Sequence, residues 1–592
     1  MPHLFRWLGF AFVAASILTL GQASPVAAQE ARPPNVLLII TDDQGYGDLG
    51  IHGNTMLKTP NLDALARQSV RLTNFHCDPT CAETRAALMT GRYSCRTGVW
   101  HTIMGRSILR RDEKLMPQFF GEAGYQTAAF GKWHLGDNYP YRPQDRGFDE
   151  SLVHGGGGVG QTPDHWNNDY FDDTYRRNGQ PEKQEGYCTD VWFANATKFI
   201  EQHRDKPFFC YVATNAPHSP YNVDPKFAQP YLDQGVPQPM ANFYGMIANV
   251  DQNVGRLLRK LDDWQLSENT IVVFMTDNGT AAGVLNKPKA ETQAWKGFSA
   301  GMRAQKGSQY DGGHRVPCFI RLPDSKPGGY QHADTQVATL AAHFDLLPTL
   351  AELCQLQPPP SDRPWDGHSL VDLISGRSDK RPPREAIVVH SQRVEHPEKW
   401  RKTAVMSDRW RLVDGRELYD IQQDPGQQRD VAAQHGDVVA ELTKFYDKWW
   451  TDVSQRFDGY SNIVLGADEA NPVELNCHDW HPTETHVPWN QSGQEGVKGD
   501  PAVNGFWAVE VEQAGKYEFV LRARPEGVEH PLAAKHARVQ LGEQEATAEV
   551  PAAAEEARLT LSLPAGPGRL QTWLEGGAQT RGAYYVQVRR LD

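Results

Sequence analysis

Cysteine is scarce in this chain of 592 residues, which has eight cysteines and no C-x-x-C pair. That scarcity excludes a dense disulfide framework and zinc-finger ligand spacing, and it leaves room for one or two disulfides in an oxidising compartment. An excess of basic residues is also missing, because 60 Lys and Arg stand against 73 Asp and Glu, for a formal net charge of -13. Without a broad basic stripe, nucleic acid is not an expected partner.

Long apolar runs are absent too, except for one at the N-terminus. The run WLGFAFVAASILTL follows His3 and Arg6, and the small residues of ASPVAAQE come after it. This order is typical of a secretory signal peptide, which we expect to span residues 1–28 with cleavage after Ala28. The run is short for a bilayer span, so we expect no transmembrane segment. The mature protein is predicted to be exported, to a periplasm or to the extracellular space.

The chain is too long for one hydrophobic core, and its pattern changes twice along its length. Residues 34–375 carry apolar runs that suit buried strands, separated by helical patterns at 242–264 and 341–354; the runs lie at 36–40, 125–131, 207–214, 270–277 and 316–322. This alternation predicts an α/β domain around a mostly parallel sheet flanked by helices. Residues 376–455 predict a smaller α+β subdomain. Residues 460–592 alternate polar and apolar positions and predict an antiparallel β-sandwich.

Polar residues follow two of the predicted strands directly. Asp42 and Asp43 come after the run at 36–40, Asp277 ends the run at 270–277, and Asn278 follows it. In open α/β sheets, ligands bind beyond the carboxyl ends of the strands. Three carboxylates and an amide oxygen brought together there would suit a hard divalent cation such as Ca²⁺ or Mg²⁺. The alternative is that these are ordinary turn residues.

Four basic side chains lie near strand ends as well. Lys132 and His134 follow the run at 125–131, His218 follows the run at 207–214, and Lys306 precedes the run at 316–322 in a glycine-rich stretch. Each by itself could be a solvated loop residue. Together, around a divalent cation, they describe an oxyanion pocket.

Cys81 lies in the stretch TCAETRAALMTGRY, four residues before Arg85 and near the start of a predicted helix. A soft thiol is a mismatch for a hard, oxygen-ligated cation. As a nucleophile it would need a paired histidine and a depressed pKa. The residue could instead be modified before use, or serve as a small buried apolar group.

Taken together, these motifs resemble the type I sulfatases, a branch of the alkaline-phosphatase-like superfamily. The resemblance runs from about Pro34 to Trp450, and nine motifs fall in the family's order: NVLLIITDDQGYGDLG, TPNLDALARQSV, RAALMTGRY, AGYQTAAFGKWHLG, NAPHSPY, VVFMTDNG, KGSQYDGGHRVP, HFDLLPTL and ELYDIQQDPGQQRDV. Nine motifs in order are far more specific than any one of them. The resemblance implies the alkaline-phosphatase-like fold and sulfuric ester hydrolysis.

The resemblance also implies roles for single residues. Cys81 matches the cysteine that a formylglycine-generating enzyme oxidises to formylglycine, whose hydrate offers one hydroxyl to attack sulfur and a second to expel sulfate. It further implies that Asp42, Asp43, Asp277 and Asn278 bind Ca²⁺, although Mg²⁺ suits the same ligands. Arg85 is implied to support the aldehyde hydrate, and Lys132 and Lys306 to neutralise sulfate oxygens. His218 is the implied general acid and His134 the implied base.

The modification signal departs from the family pattern at one position. Glu83 stands two residues after Cys81, where the family usually carries Pro or Ala. A second register places Pro79 two residues after Cys77, but Cys81 then occupies the arginine position. The spacing to RAALMTGRY favours Cys81.

The sequence therefore predicts an exported sulfatase acting on a sulfated carbohydrate, with aryl sulfates as artificial substrates. One alternative keeps the fold and the metal but hydrolyses a phosphate or phosphonate ester. Another is a non-catalytic glycan-binding protein in which Cys81 stays a thiol. Loop aromatics that could border the pocket, or merely pin long connections, occur at Trp100, Trp295 and residues 162–173, and the His- and Trp-rich segment 476–492 is interpreted as packing.

Overall fold

The structure is a computed structural model that describes residues 32–284, 296–323, 334–377, 384–482, 487–492 and 502–592. The predicted signal peptide lies outside the described residues, as does Trp295. Among the helices that the structure describes, none is both long and apolar enough to cross a bilayer. All eight cysteines are described and buried, and none forms a disulfide with another of them.

Twelve strands are described in the part of the chain that ends at residue 342. They are β1 (Asn35–Thr41), β2 (Val70–Leu72), β3 (Phe75–His76), β4 (Gln126–Lys132), β5 (Glu150–His154), β6 (Thr174–Arg177), β7 (Gln180–Lys183), β8 (Phe208–Ala213), β9 (Thr270–Thr276), β10 (Cys318–Arg321), β11 (Thr335–Val337) and β12 (Ala341–Ala342). All but β3 and β12 form one sheet in the order β11-β2-β10-β9-β1-β8-β4-β5-β6-β7. The central strands β9, β1, β8, β4 and β5 run parallel. The strand β10 is antiparallel to β9, which makes the sheet mixed.

Ten α-helices are described along the chain. They are α1 (Pro60–Arg67), α2 (Cys81–Thr90), α3 (Met116–Glu122), α4 (Cys188–Gln202), α5 (Pro225–Leu232), α6 (Gln238–Asp263), α7 (Asp311–His314), α8 (Leu346–Cys354), α9 (Val371–Ile374) and α10 (Gly436–Val453). Alternate residues of β1 enter two different cores, with Leu38 packed among residues of α2, α3 and α8, and Leu37 packed among residues of α1, α4 and α6. Every residue of β1 is buried, as expected of a strand covered on both faces.

Two further sheet systems follow in the chain. An antiparallel sheet packs with α10 and is formed by β13 (Ile387–His390), β14 (Thr403–Met406), β15 (Trp410–Val413) and β16 (Glu417–Asp420). Ten strands come after it: β17 (Ile463–Leu465), β18 (Val473–Asn476), β19 (His481–Pro482), β20 (Gly505–Val511), β21 (Gly515–Arg522), β22 (His536–Leu541), β23 (Gln544–Glu549), β24 (Glu556–Leu563), β25 (Gly566–Glu575) and β26 (Tyr585–Arg590). These form two largely antiparallel sheets that share one core, the expected β-sandwich.

The α/β class and the C-terminal sandwich are confirmed, and each of the five predicted strands is present. The helix predicted over residues 341–354 is wrong in its first turn, because β12 occupies its start and α8 begins only at Leu346. The domain boundaries at residues 375, 455 and 460 stay predictions. The sandwich core also receives Ile108 and Tyr141 from the preceding part of the chain, so the apolar packing is continuous across that boundary.

Candidate active site

The acidic residues meet where two neighbouring parallel strands end. Thr41, the last residue of β1, is in register with Thr276, the last residue of β9. The residues that follow are therefore side by side: the Asp43 amide donates to Asp277 Oδ1 at 3.0 Å, and Asn278 Nδ2 donates to the same oxygen at 2.6 Å. The structure thus brings Asp42, Asp43, Asp277 and Asn278 together, all of them buried.

Apart from Asp43 Oδ1, which forms an ion pair with Lys306, two oxygens of this group have no hydrogen-bond partner among the described residues. They are Asp42 Oδ1 and Asn278 Oδ1, both inaccessible to solvent. A buried oxygen without a partner is costly, and hard divalent cations take such carboxylate and amide oxygens as ligands. Potential ligand atoms of Asp42, Asp277 and Cys81 also lie within 4.8 Å of one another. The donor set therefore fits a divalent cation at the carboxyl ends of β1 and β9.

Each of the three carboxylates is also paired with a cation. Lys132 Nζ lies 2.7 Å from Asp42 Oδ2, Arg85 Nη2 lies 2.9 Å from Asp277 Oδ2, and Lys306 pairs with Asp43. Burial by itself would raise the pKa values of Asp42 and Asp43, but the neighbouring lysines outweigh it and hold both pKa values below the ordinary value. The pKa of Asp277 is raised, first by burial and then by the charge of Asp42.

Two histidines lie on the open side of this group. His134 Nε2 lies 2.8 Å from the Thr102 carbonyl oxygen, and His134 Nδ1 has no partner among the described residues. His218 Nδ1 lies 2.6 Å from the Ser219 carbonyl oxygen, and His218 Nε2 lies 3.8 Å from Asp43 Oδ2. Each carbonyl requires a donor, so His134 carries its proton on Nε2 and His218 on Nδ1. Burial lowers the pKa of both rings, which keeps them neutral.

Cys81 begins α2 and is 2% exposed. Burial raises the pKa of its thiol, so the plain thiol is not activated as a nucleophile. Arg85 stands four residues later, on the same face of the helix, where it reaches Asp277. The sequence spacing thus places Cys81 beside the carboxylates.

These groups open into one cleft of about 270 Å³. Its described lining is Asp43, Cys81, Thr102, Ile103, His134, Gln161, His218, Ser219, Tyr221, Ala281, Lys306, Arg393 and Trp489. Three of these residues, Asp43, His134 and Arg393, have positive φ angles of 66°, 62° and 44°, a conformation that non-glycine residues seldom adopt and that concentrates at functional sites. Lys132 and Arg85 lie beneath the cleft, where they contact the carboxylates and do not line the opening.

The sequence missed several of the lining residues. Arg393 belongs to a segment far from any motif and has no local signal, whereas Trp489 lies in the His- and Trp-rich segment 476–492, whose composition was interpreted as packing. Trp100, in contrast, is fully buried, so this aromatic holds its loop in place and does not border the cleft. The packing interpretation of 476–492 holds for Trp480 but is wrong for Trp489, which enters the cleft.

A second group of buried potential ligands is closed by other contacts. His76, Asp311 and His314 lie together, but Arg411 Nε donates to Asp311 Oδ1 at 3.1 Å and the two histidine Nδ1 atoms contact each other at 2.9 Å. A cation there would meet the buried guanidinium of Arg411. The group beneath the cleft is therefore the better cation site of the two.

Comparisons with known proteins agree with this geometry. The family model described as Sulfatase matches residues 34–356. The N-acetylgalactosamine-6-sulfatase of Canis lupus familiaris is 31% identical over 400 residues, which cover 62% of this chain and 71% of that protein. Arylsulfatase A of Homo sapiens is 31% identical over 386 residues, which cover 60% of this chain and 70% of that protein.

Solved structures show the same likeness. The crystal structure of Ps i-CgsB superposes with a TM-score of 0.63 at 27% identity, covering 73% of this chain and 95% of that chain. The motifs, the fold and these matches lead to one conclusion: the chain belongs to the sulfatase family, whose members are sulfuric ester hydrolases.

Proposed function

We propose that this chain is an exported sulfatase that hydrolyses a sulfate ester on a carbohydrate, with a formylglycine made from Cys81 as the nucleophile and a divalent cation, Ca²⁺, beneath it. The observation that carries the proposal is the convergence on one cleft of Cys81, Lys306, His134 and His218 above buried oxygens that lack a partner. A cationic cleft floored by oxygen ligands suits a tetrahedral oxyanion.

The carbohydrate part of the proposal has separate support. One relative is named for an N-acetylgalactosamine 6-sulfate substrate, and Ps i-CgsB has been solved in complex with k-i-k-neocarrahexaose. Export is supported by the N-terminal apolar run and by small residues before the expected cleavage at Ala28.

The chain's own side chains can divide the chemistry among them. Lys306, which faces both Asp43 and the cleft, would neutralise charge on sulfate oxygens, with Lys132 adding positive charge from below. Arg85 holds Asp277 and donates to the Lys132 carbonyl at 3.2 Å, which fixes the floor of the cleft near residue 81.

The histidines would move protons at two different places. With its Nδ1–H held by the Ser219 carbonyl, His218 directs Nε2 toward Asp43 and the cleft; Nε2 would take up a proton when the anionic ester binds and then pass it to the leaving oxygen. With Nε2 fixed on Thr102, His134 keeps an unpartnered Nδ1 as a base. When bound, the cation would polarise a sulfate oxygen, and formylglycine would supply a hydroxyl nucleophile that the thiol lacks.

The first test is the mass of the tryptic peptide of residues 72–85 from protein made in its native export pathway. This peptide contains both Cys77 and Cys81, so the change must be located by fragmentation. We expect a loss of about 18 Da, the change from thiol to aldehyde, on fragments that contain Cys81 but not Cys77. A thiol at Cys81 in all of the protein would overturn the nucleophile.

Parallel turnover of 4-nitrophenyl sulfate and 4-nitrophenyl phosphate tests the reaction itself. We expect sulfate release to be faster, and to be lost in the Cys81→Ala variant. Faster hydrolysis of the phosphate ester would instead support the phosphate or phosphonate alternative.

A further inference from the structure

The most exposed aromatic of the described chain lies in the cleft. Among the large apolar side chains that the structure describes, only Trp489 and Leu591 are exposed, at 37% and 49%. Leu591 is the penultimate residue, but Trp489 lines the same cleft as Cys81 and Lys306. A chain that buries its other described tryptophans at least partly leaves this ring open where a substrate would enter. Flat, exposed aromatic faces in polar clefts are suited to apolar faces of ligands.

The backbone around Trp489 is hydrogen-bonded to the loop of residues 160–162. Trp489 belongs to residues 487–492, here called the strap, which lie between β19 and β20. The Thr162 amide donates to the Trp489 carbonyl at 3.0 Å, and the Gln491 amide donates to the Gly160 carbonyl at 3.0 Å. Thr162 Oγ1 also donates to the Pro488 carbonyl at 2.7 Å. The strap is therefore fixed to the glycine-rich loop that supplies Gln161 to the cleft.

Arg393 contributes an exposed positive charge to the same cleft. No described carboxylate lies within 4.0 Å of its guanidinium, which makes one weak hydrogen bond among the described residues, from Nη2 to Thr102 Oγ1 at 3.4 Å. The nearest acid along the chain, Glu395, is already engaged by Arg106 at 2.8 Å and by His481 at 3.0 Å. The Arg393 backbone, at a φ of 44°, is anchored by its amide to the Trp100 carbonyl at 3.0 Å. The chain thus holds a guanidinium over the cleft without neutralising it.

We propose that Trp489 and Arg393 form a substrate subsite that selects a sugar ring bearing a second anionic group besides the sulfate that is cleaved. Trp489 would stack on the ring, and Arg393 would bind the second sulfate or carboxylate through its planar donors. This inference rests on the proposed function and deepens it. It also gives the C-terminal part of the chain a role, because the strap supplies the stacking residue.

The volume of the cleft is consistent with a site for one sugar unit. Its volume of about 270 Å³ lies just below the roughly 300–1,000 Å³ of small-molecule sites. A single sulfated sugar unit is a better match than a long oligosaccharide. Selection must then come from groups on that unit, which is what a charged contact and a stacking contact provide.

The test is calorimetric binding to the full-length Cys81→Ala variant, which keeps bound probes intact. One matched pair is N-acetylglucosamine 6-sulfate and D-glucosamine-2-N,6-O-disulfate, which differ only at N2. A second is N-acetylgalactosamine 6-sulfate and its 4,6-disulfate, in which both anionic groups are on one ring. We expect at least one dianionic probe to bind roughly 10- to 100-fold more tightly than its partner, the contribution of a charge-assisted contact.

Adding Arg393→Gln should abolish that preference and leave binding of the monoanionic probe unchanged, whereas Trp489→Ala should weaken both probes by about 5- to 10-fold. The matched controls are Arg416→Gln, on an exposed turn between β15 and β16, and Trp573→Ala, a half-exposed ring in β25. Equal effects of Arg393→Gln on both probes, Trp489→Ala matching Trp573→Ala, or binding of no probe would each overturn the subsite.

The outcomes separate this inference from the proposed function. Charge-selective binding with no sulfate release by the unsubstituted protein would keep the subsite and reject the catalysis. Turnover of 4-nitrophenyl sulfate without charge-selective binding would keep the catalysis and reject the subsite.

Discussion

Glu83 combines two unusual properties at a single residue. It lies in the first turn of α2, two residues after Cys81, and it is fully buried with neither carboxyl oxygen hydrogen-bonded to a described residue. Burial raises its pKa to about 7 from the ordinary 4.5. A small apolar residue at this position would carry no desolvation cost. The buried carboxyl group therefore destabilises the fold locally, and its charge depends on pH.

Glu83 should therefore make stability depend on pH. The pKa of Glu83 is higher in the folded than in the unfolded state, so proton binding stabilises the folded state. This stabilisation is fully present below the ordinary pKa and is lost as pH rises through about 7. The loss is on the order of 3 kcal/mol. We expect Glu83→Gln to remove this dependence, so that its free energy of unfolding relative to the parent rises from about pH 5 to about pH 8.

Urea unfolding at the two pH values measures this difference, and only the change with pH matters, since the buried amide has a constant cost of its own. The exposed Glu441→Gln variant is the control and should follow the parent at both values. A parallel course for Glu83→Gln and the parent would show that Glu83 does not titrate in this range.

At the scale of the element, the ends of β1 and β9 carry the proposed cation site. Their parallel pairing sets Asp42 next to Asp277, and the oxygens Asp42 Oδ1 and Asn278 Oδ1, which have no hydrogen-bond partner among the described residues, suit a divalent cation as ligands. The pairing of strands thus decides the ligand geometry, and the loops after them supply the ligands.

Removal of divalent cations should lower stability as well as activity. We expect dialysis against EDTA to lower the Tm and abolish sulfate release, and Ca²⁺ to restore both, because a ligand at about 100 times its Kd stabilises the folded state by about 2.7 kcal/mol. Differential scanning fluorimetry with Ca²⁺ and with Mg²⁺ measures the effect. The Asp277→Asn variant should show a much smaller response; an unchanged Tm after EDTA treatment of the parent would argue against a cation at this site.

The glycine-rich loop after β5 is a second element on which the site depends. A Cβ on Gly157 would lie 2.4 Å from His134 Cε1 and 2.5 Å from His134 Nε2, too close for either atom to stay in place. The loop can pack against the catalytic histidine proposed here only because this residue has no side chain.

Gly157→Ala should therefore displace His134 and reduce kcat by roughly 10- to 100-fold, the cost of a misplacement of about 1 Å. Steady-state kinetics on 4-nitrophenyl sulfate measures the loss, and circular dichroism checks the fold. Gly121→Ala is the matched control, because its Cβ would meet nothing within 4 Å. Unchanged kcat in Gly157→Ala would mean that His134 is not required in its present position.

At the scale of the whole molecule, Arg106 joins three parts of the chain. Its guanidinium lies over the rings of Trp100 at 4.6 Å and Tyr460 at 4.5 Å, and it pairs with Glu395 at 2.8 Å. Arg106 also donates to the Gly459 carbonyl at 2.9 Å. Since Arg106 is 2% exposed, these contacts are made away from water, where a lost partner is most costly.

Arg106→Gln should lower the free energy of unfolding by about 2–4 kcal/mol. The control is Arg111→Gln, which breaks an exposed pair with Glu510 and should change stability by less than about 1 kcal/mol. Urea unfolding followed by fluorescence gives both values. We expect one cooperative transition in the parent; two separate transitions would show that the sandwich unfolds independently of the rest.

Much of the fold followed from local patterns. The buried runs at 36–40 and 270–277 predicted strands of a mostly parallel sheet with polar residues at their carboxyl ends, and the structure shows that these two strands are neighbours. The helical spacing of Cys81 and Arg85 likewise places both on one face of α2. The helical spacing needed no long-range information, because helical periodicity converts sequence position directly into spatial position, whereas the pairing of β1 with β9 joins distant parts of the chain.

Arg393 and Trp489 were beyond such reasoning. They lie more than 300 and 400 residues after Cys81, in loops without periodicity, and only tertiary packing brings them to the same cleft. Trp100 was a candidate for the cleft and is buried instead, since a tryptophan in a loop has no local feature that distinguishes a buried ring from an exposed one. The sequence alone determined the strands, the helices and the polar groups at the strand ends. The tertiary structure decided which strands are neighbours and which loops form the cleft, because both depend on contacts between distant parts of the chain.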